Sequence, residues 1–315
     1  MFEQNAIQSI AILIGLIFLG MGLRKWGVLK EEHGGLLAKI IVTVTIPALI
    51  FSALSARQFE ADKLLLALVM IISQLGCALL AWGVSSLLKL SRPRRGALIL
   101  ASTFTSSAFL GYAVVKEVFH DNPSALADAA VVSELGVATL LFTFGIFVAM
   151  HFGMQDTTLK SRIREMSSFF YSPIFISLVL GIGCSFISLP KSNPVVGGFY
   201  NALEIIANAN TFLVALAIGV MLHFKDLSKV WVIVTLAILI KLIIQPLLSY
   251  GQATIYHFPP LWNQIVVLEA AMPTAAMTAI FAKKYGCDAE LTSILIFATF
   301  ISSCITMVMM ILLLT

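Results

Sequence analysis

Long apolar segments separated by short polar connectors run along the whole chain. A membrane-spanning helix needs roughly 20 mostly apolar residues, and stretches of about this length recur from Ile7 onward. The pattern lacks the alternating strands, each roughly ten residues long, of a transmembrane barrel. We therefore predict an all-α polytopic membrane protein with ten transmembrane helices, called spans 1 to 10. Their predicted bounds are 7–23, 36–54, 64–88, 96–118, 127–150, 173–189, 199–222, 230–250, 265–282 and 291–314.

Composition agrees with this pattern. Hydrophobic residues make up 59% of the chain and charged residues 11%, whereas a soluble domain carries about 25% charged residues. The tight connectors leave no room for a soluble catalytic domain, so we do not expect an enzyme. The histidines fall in or beside connectors and the four cysteines are scattered, which is a poor arrangement for a metal or redox site. We expect no nucleic-acid partner, no metal, and no cofactor beyond a coupling Na⁺ or H⁺.

The distribution of basic residues predicts an orientation. Fourteen Lys and Arg residues fall in the connectors after odd-numbered spans, whereas four lie on the opposite side. Cytoplasmic connectors carry the excess of Lys and Arg, so the first set is assigned to the cytoplasm. Both termini are then predicted to lie on the outer side of the plasma (inner) membrane.

The longest connector divides the predicted spans five and five. Because five is odd, the second half must enter the membrane in the opposite direction to the first, which is the topology of an inverted repeat. We predict a first five-helix repeat at 1–150, a cytoplasmic connector at 151–170, and a second, inverted repeat at 171–315. Span 2 also carries Val44–Pro47 where span 7 carries Asn208–Thr211, which is a weak sequence symmetry.

Span 9 combines a charge with a helix break. Glu269 lies in an apolar run, and Pro273 follows it by one helical hydrogen-bond step. Proline has no amide hydrogen, so the carbonyl of Glu269 loses its helical partner close to a carboxylate in low dielectric. This combination is typical of a cation or proton site. The alternative is a kinked helix whose glutamate is paired or protonated without a further role.

The segment from Val266 to Asp288 reads VVLEAAMPTAAMTAIFAKKYGCD and closely resembles the hallmark segment of the auxin efflux carrier family of membrane transporters. Shorter pieces support the resemblance in family order along nearly the whole chain. These are Ile46–Leu49, Phe109–Gly111, Ser172–Pro173 and Lys241–Pro246.

The resemblance implies a fold similar to that of bile acid sodium symporters, with spans 4 and 9 broken and crossing at the substrate site. It implies that spans 1, 2, 6 and 7 form a scaffold through which the protein dimerises, and that spans 3 to 5 and 8 to 10 form a moving transport domain. Bacterial members of the family are associated with malate and malonate, and plant members with auxin. The stretch from Ser106 to Ala113 departs from the family pattern because it lacks the usual Asn, first Gly and Pro. A break there would depend on Gly111 and the neighbouring Ser and Thr residues, since glycine lowers helix stability by about 1 kcal/mol.

Candidate site residues follow from these patterns. Neutral amides and hydroxyls can bind a carboxylate, although they also serve as contacts between helices. Lys241 lies about 18 Å of helix from Lys229, and Glu269 lies about 21 Å from Lys283, so both are near the middle of the membrane and an ion pair between them is geometrically possible. Glu134 and Glu204 are placed nearer the outer face, in solvated roles. The predicted substrate-binding residues are Ser106, Ser107, Asn208, Asn210, Thr211, Lys241 and Thr274; the coupling residues are Glu269 and Lys241; the helix-breaking residues are Pro47, Gly111 and Pro273.

Three functions remain open from the sequence. The first is a secondary transporter that moves a small organic anion, such as a dicarboxylate or an auxin-like carboxylate, by alternating access coupled to protons or sodium. The second is a sodium/proton antiporter on a related fold, in which Glu269 and Lys241 carry ions. The third is a membrane sensor or channel with a degenerate site, which the altered span 4 keeps open.

Overall fold

The computed structural model describes residues 2–56, 58–122, 124–153, 167, 169–187, 193–222 and 230–313, without the side chains of 2–6 and 313. Within these ranges every regular element is helical, apart from one isolated antiparallel bridge between Thr105 and Thr274. The all-α prediction is thus confirmed. Most of the predicted cytoplasmic connector at 151–170 lies outside the described residues.

By length and composition, seven of the described helices can each cross a membrane. This makes the chain a polytopic membrane protein. A shorter apolar helix, Pro173–Ser185, has the position of predicted span 6. The seven helices are Ile7–Lys25, Glu31–Ser55, Ala61–Leu87, Ala125–Phe152, Pro194–Met221, Trp231–Ile255 and Ala289–Leu312.

Several of these helices contain π-helical turns. Such turns, which occur mostly as bulges within α-helices, are frequent at functional sites. The α-helices are α1 (Phe2–Lys25), α2 (Glu31–Ile40), α3 (Ile46–Ser55), α4 (Leu64–Leu87), α5 (Arg92–Thr103), α6 (Tyr112–Val118), α7 (Ala125–Ala130), α8 (Ile146–Phe152), α9 (Pro173–Ser185), α10 (Pro194–Asn208), α11 (Asn210–Met221), α12 (Trp231–Ile238), α13 (Gln245–Ile255), α14 (Pro260–Ala270), α15 (Met277–Tyr285) and α16 (Ala289–Leu313). The π-helical turns are Ile41–Thr45, Ser107–Gly111, Val131–Ala138, Leu141–Gly145 and Leu239–Ile244, and short 3₁₀ helices occur at Ala61–Lys63 and Phe169–Tyr171.

Local sequence explains several helix ends. The side chain of Ser172 accepts a hydrogen bond from the Phe175 amide at the start of α9, and Asn193 does the same for Val195 at the start of α10. Each cap is followed by a proline at the first helical position, where no amide donor is needed. At the other end of a helix, Gly286 terminates α15 with a φ of 84°, a conformation that glycine adopts without strain.

The chain forms two compact units. The first consists of Met1–Leu64, Ala108–Glu134 and Phe170–Leu222. Within it, α1 packs closely on α11: a Cβ atom added to Gly20 would lie 2.9 Å from the Leu216 carbonyl oxygen, and one added to Gly219 would overlap the Ile17 carbonyl oxygen. Small residues of this kind let two helix backbones approach closely inside a membrane.

The second unit consists of Leu65–Ser107, Leu135–Phe169 and His223–Thr315. Its apolar core draws on α4, α5, α8, α12, α15 and α16, with Phe104 and Leu295 fully buried. This unit contains both α14 and α15, which together replace predicted span 9. The structure starts that segment at Pro260 rather than at 265, and divides it at residues 271–276.

Candidate functional site

Two interruptions of helical structure meet within the second unit. The first lies at Phe104–Ser106, between α5 and the π-helical turn at Ser107, and the second at residues 271–276, between α14 and α15. The Ser106 amide donates a hydrogen bond to the Pro273 carbonyl at 2.8 Å, and the Ala275 amide donates one to the Phe104 carbonyl at 3.0 Å. Each extended segment therefore satisfies backbone groups of the other, as two antiparallel strands do.

Side chains strengthen this junction. Thr274 donates its hydroxyl hydrogen to the Ala101 carbonyl at 2.6 Å, and its amide donates to Thr299 Oγ1 at 3.2 Å. The predicted substrate-binding residue Thr274 is thus engaged in holding the junction together. Ser102 Oγ and Thr105 Oγ1, in contrast, are buried and find no hydrogen-bond partner in the described residues.

Of the three predicted helix-breaking residues, only Pro273 lies in an interruption of a helix. Pro273 lies inside the second interruption, where its missing amide hydrogen suits an extended backbone. Gly111 was the wrong residue for the first break, because the helix resumes at Ser107 and Gly111 has helical torsion angles of −58° and −47°. Pro47 does not interrupt a helix either. It follows the π-helical turn Ile41–Thr45 near the start of α3, in a helix that runs from Glu31 to Ser55.

Two ionisable residues are fully buried near the second interruption. Lys241, in the π-helical turn Leu239–Ile244, and Glu269, in the last turn of α14, both have 0% exposure. The Lys241 ammonium donates to Gln245 Oε1 at 2.8 Å and to the Ala270 carbonyl at 2.9 Å. Of the described residues, none forms an ion pair with Lys241, so the direct pair with Glu269 is not formed. Glu269 and Cys77 nevertheless lie close enough to Lys241 to affect it electrostatically if they are ionised.

The first unit brings together the two stretches that resemble each other in spans 2 and 7. Thr45 donates its hydroxyl hydrogen to Asn210 Oδ1 at 2.7 Å. α10 ends at Asn208 and α11 begins at Asn210, so the helix is interrupted and starts again at this point. The buried Asn210 Nδ2 and Thr211 Oγ1 find no hydrogen-bond partner in the described part of the chain.

Lys116 is a candidate site residue that sequence reasoning missed. The sequence placed it only among the four basic residues on the outer side. In the first unit its ammonium donates to the Asn208 side-chain oxygen at 2.7 Å and to the Ala207 carbonyl at 2.9 Å. A charged residue near a helix end gave only a weak signal, because snorkelling to the membrane surface explains such residues equally well.

Glu134 was wrongly assigned to a solvated position. It is 1% exposed and accepts hydrogen bonds from the Tyr112 hydroxyl at 2.6 Å and from Ser133 Oγ at 3.2 Å. An acidic residue inside an apolar span was the signal that should have suggested burial with polar partners.

The candidate residues therefore fall into two sets. Ser106, Ser107, Lys241, Glu269, Pro273 and Thr274 belong to the second unit, whereas Pro47, Gly111, Asn208, Asn210 and Thr211 belong to the first. In the described ranges, no group of three or more His, Cys, Asp or Glu side chains is arranged to hold a metal ion.

Comparisons with known proteins place the chain among transporters. Residues 5–310 match the family model described as membrane transport protein. An uncharacterized transporter of Methanocaldococcus jannaschii is 26% identical over 299 residues, which cover 93% of this chain and 94% of the relative. An uncharacterized transporter of Methanothermobacter thermautotrophicus is 26% identical over 309 residues, or 98% of each chain.

A putative malonate transporter of Rhizobium meliloti is also similar, with 26% identity over 137 residues that cover 43% of this chain and 42% of the relative. The long matches to the two archaeal transporters and to the family model span nearly the whole sequence. They agree with the resemblance carried by the segment from Val266 to Asp288, and the chain is a membrane transport protein of the auxin efflux carrier family.

Proposed function

We propose that this protein is a secondary active transporter that moves a small organic anion, such as a dicarboxylate, across the plasma membrane by alternating access. The observation that carries the proposal is the junction of two broken helices in the second unit, with Glu269 and Lys241 buried close to it. Broken helices at corresponding positions of two halves are the usual binding site of transporters with inverted repeats.

The helix ends at the junction favour an anion together with a cation. Helices resume after the two interruptions at Ser107 and Met277, and the amino end of a helix carries partial positive charge. Ala270, which precedes the second interruption, presents its carbonyl to Lys241. Positive helix ends suit a carboxylate substrate, and a buried carboxylate such as Glu269 suits a coupling proton or Na⁺.

The first unit supports the same substrate class. Asn210 Nδ2 is a buried donor without a partner in the described residues, and Lys116 adds a positive charge beside Asn208. Neutral amide donors together with one ammonium are suited to recognise a carboxylate.

We further propose ten spans arranged as two inverted repeats, with both termini on the outer side and with movement of a transport domain against a scaffold. Support comes from the division of the predicted spans: 1, 2, 6 and 7 lie in the first unit, and 3, 8, 9 and 10 in the second, with spans 4 and 5 contributing to both. A homodimer through the scaffold spans belongs to the same proposal.

The test is uptake of radiolabelled malonate and malate into proteoliposomes that contain the purified protein. We expect saturable uptake whose dependence on a proton or sodium gradient is altered in Glu269→Gln. Empty liposomes provide the background. Absence of saturable uptake of every mono- and dicarboxylate tested would contradict the anion proposal, and unchanged ion dependence in Glu269→Gln would remove that residue from coupling.

A sodium/proton antiporter is the second candidate. Lys241 and Glu269 are buried ionisable side chains, and they can carry ions without any organic substrate. A sodium gradient that changes the internal pH of the same proteoliposomes in the absence of any carboxylate would favour it over the first.

A further inference from the structure

A continuous line of polar side chains runs along one face of α13 and of the π-helical turn before it. Lys241, Gln245, Ser249 and Gln252 are spaced at intervals of four, four and three residues, which places them on a single helix face. Together with Ser73 and Gln74 of α4, we call Gln245, Ser249 and Gln252 the polar stripe.

Ser73 of α4 is joined to Ser249 and Gln252 of α13, whereas the Gln74 amide donates to the Met70 carbonyl of its own helix; all of these residues lie in the second unit. Ser249 donates its hydroxyl hydrogen to Ser73 Oγ at 2.9 Å, and Gln252 Nε2 donates to the same oxygen at 2.7 Å. At the other end, Gln245 Oε1 accepts the hydrogen bond from the Lys241 ammonium at 2.8 Å. Ser73, Gln74, Gln245 and Ser249 all have 0% exposure.

The stripe leaves hydrogen-bond acceptors unused. Gln74 Oε1, Gln252 Oε1 and Asn263 Oδ1 are buried atoms without a donor among the described residues. Gln252 belongs to α13 and Asn263 to α14, so the two amides lie on either side of the turn that joins these helices. Buried polar atoms in proteins are nearly always satisfied, and water is the usual donor where no protein group is available.

The stripe spans the distance from the helix end to the buried amine. Gln252 lies eleven residues beyond Lys241, or about 16 Å of helix, and is followed within one turn by the exposed Tyr256 and His257. Gln245 and Ser249 are one helical turn apart, at about 6 Å between Cβ atoms, so their side chains project from the same face of the helix. The groups that face Lys241 from neighbouring elements are Glu269 on α14 and Cys77 on α4.

From these observations we propose that the polar stripe is a hydrated proton-access route that connects the Tyr256–His257 end of α13 to Lys241. A proton enters from water at Gln252 and passes through bridging waters and the hydroxyls of Ser73 and Ser249, each of which accepts one proton and releases another. It ends on the unprotonated Lys241 amine, and the reverse transfer releases it. The amides hold the waters in line and carry no proton themselves.

This route rests on the proposed function only in its purpose, which is to supply the coupling proton. Its hydration is independent of any substrate. The alternative is that the stripe only fastens α4 to α13, in which case it contains no mobile water.

The first experiment measures hydration directly. Ser249→Cys, Gln252→Cys and Leu248→Cys are reconstituted separately in liposomes and treated with 2-aminoethyl methanethiosulfonate, and labelling of each site is quantified by peptide mass spectrometry. Leu248 is the matched control because it neighbours Ser249 but is 37% exposed on the outside of the helix bundle. The native Cys287, in the connector after α15, is an internal reference, since burial and the neighbouring Asp288 raise its pKa to about 11.

We expect the thiols at 249 and 252 to be labelled about tenfold faster than the thiol at 248, because a thiolate forms in water and not in lipid. Equal or slower labelling at both stripe positions overturns the proposal, whatever the protein transports. Should Ser249→Cys fail to fold, Gln252→Cys alone decides the comparison.

The second experiment separates proton supply from transport. Radiolabelled malonate is followed in two modes: net uptake driven by an inward proton gradient, and exchange against internal malonate at equal pH. Ser249→Ala removes one relaying hydroxyl, and we expect net uptake to fall about tenfold, which corresponds to about 1.4 kcal/mol in activation free energy, while exchange stays within about twofold. Thr254→Ala is the control, because Thr254 is exposed on the same helix and donates only to its own helix, at the Tyr250 carbonyl.

An equal loss of uptake and exchange in Ser249→Ala identifies a fastening role and overturns the route. If the wild type moves no malonate in either mode, malonate is excluded as a substrate, and the labelling experiment still decides whether the route exists.

Discussion

The two helix interruptions in the second unit are alike in the structure and unlike in the sequence. The interruption around Pro273 contains a residue that cannot continue a helical hydrogen-bond pattern, and it follows a buried acid. The interruption at Phe104–Ser106 contains no proline and no glycine. It is extended because Phe104 and Ser106 exchange backbone hydrogen bonds with Ala275 and Pro273. Both breaks are held by the same hydrogen bonds, but only the one at Pro273 is also visible in the local sequence.

A segment that lacks the proline of the family pattern can therefore still contain the helix break with which that proline is associated. The stretch from Ser106 to Ala113 lacks the usual proline, and yet the chain is broken just before it. The free energy needed to leave the helix is supplied by hydrogen bonds at the junction instead of by a local steric block.

The largest loss of stability is expected at Lys241, the buried charge close to the break that contains Pro273. Lys241→Met removes the donor to the Ala270 carbonyl and to Gln245 Oε1, and each buried acceptor left unsatisfied costs about 1 to 3 kcal/mol. We expect the free energy of unfolding in detergent micelles to fall by about 3 kcal/mol, and coupled transport to be lost. Lys39→Met is the control, because Lys39 is exposed in α2. Equal stability of the two variants would contradict a structural role for the Lys241 contacts.

An intermediate effect is expected at the contact between the two breaks. Thr274→Val keeps the side-chain shape but leaves the Ala101 carbonyl without its hydroxyl donor, so unfolding free energy should fall by about 1 to 3 kcal/mol. Thr103→Val is a matched control, since the buried Thr103 hydroxyl donates at 2.7 Å to Ile99 within its own helix. Chemical denaturation of both variants measures the difference. If Thr103→Val is as damaging as Thr274→Val, the junction does not depend on this side-chain contact.

The smallest effect is expected from the proline itself. In Pro273→Ala the hydrogen bonds to Ser106 and from Ala275 to Phe104 remain, so the extended segment is retained. The loss of proline rigidity in the unfolded chain should lower stability by only about 0.4 to 1 kcal/mol. The measurement is thermal unfolding of Pro273→Ala and Thr274→Val under the same conditions. A larger loss for Pro273→Ala would mean that local sequence, and not the junction, maintains the second break.

Much of the fold could be predicted from the sequence because it depends on hydropathy. Runs of apolar residues long enough to cross a bilayer must become helices, since backbone groups in lipid have to be satisfied within the segment. Pro273 next to Glu269 was also visible, because both signals lie within five residues of each other.

The individual contacts of the site could not be predicted in the same way. A direct ion pair between Lys241 and Glu269 was geometrically possible from the sequence, but the Lys241 ammonium binds the neutral oxygens of Gln245 and Ala270. Glu134 was expected in solvent and is buried against Tyr112. Such partners are chosen among several polar groups at similar depth, and spacing along one helix does not identify which helix lies opposite.

The sequence by itself determined that this chain lies in a membrane, that it belongs to a transporter family, and that one helix breaks at Pro273, because hydropathy, motif and proline act over short distances. Only the tertiary structure decided where the first break lies, and which neutral oxygens hold Lys241. These depend on hydrogen bonds between residues as far apart as Phe104 and Ala275, which form only when separate helices have packed together.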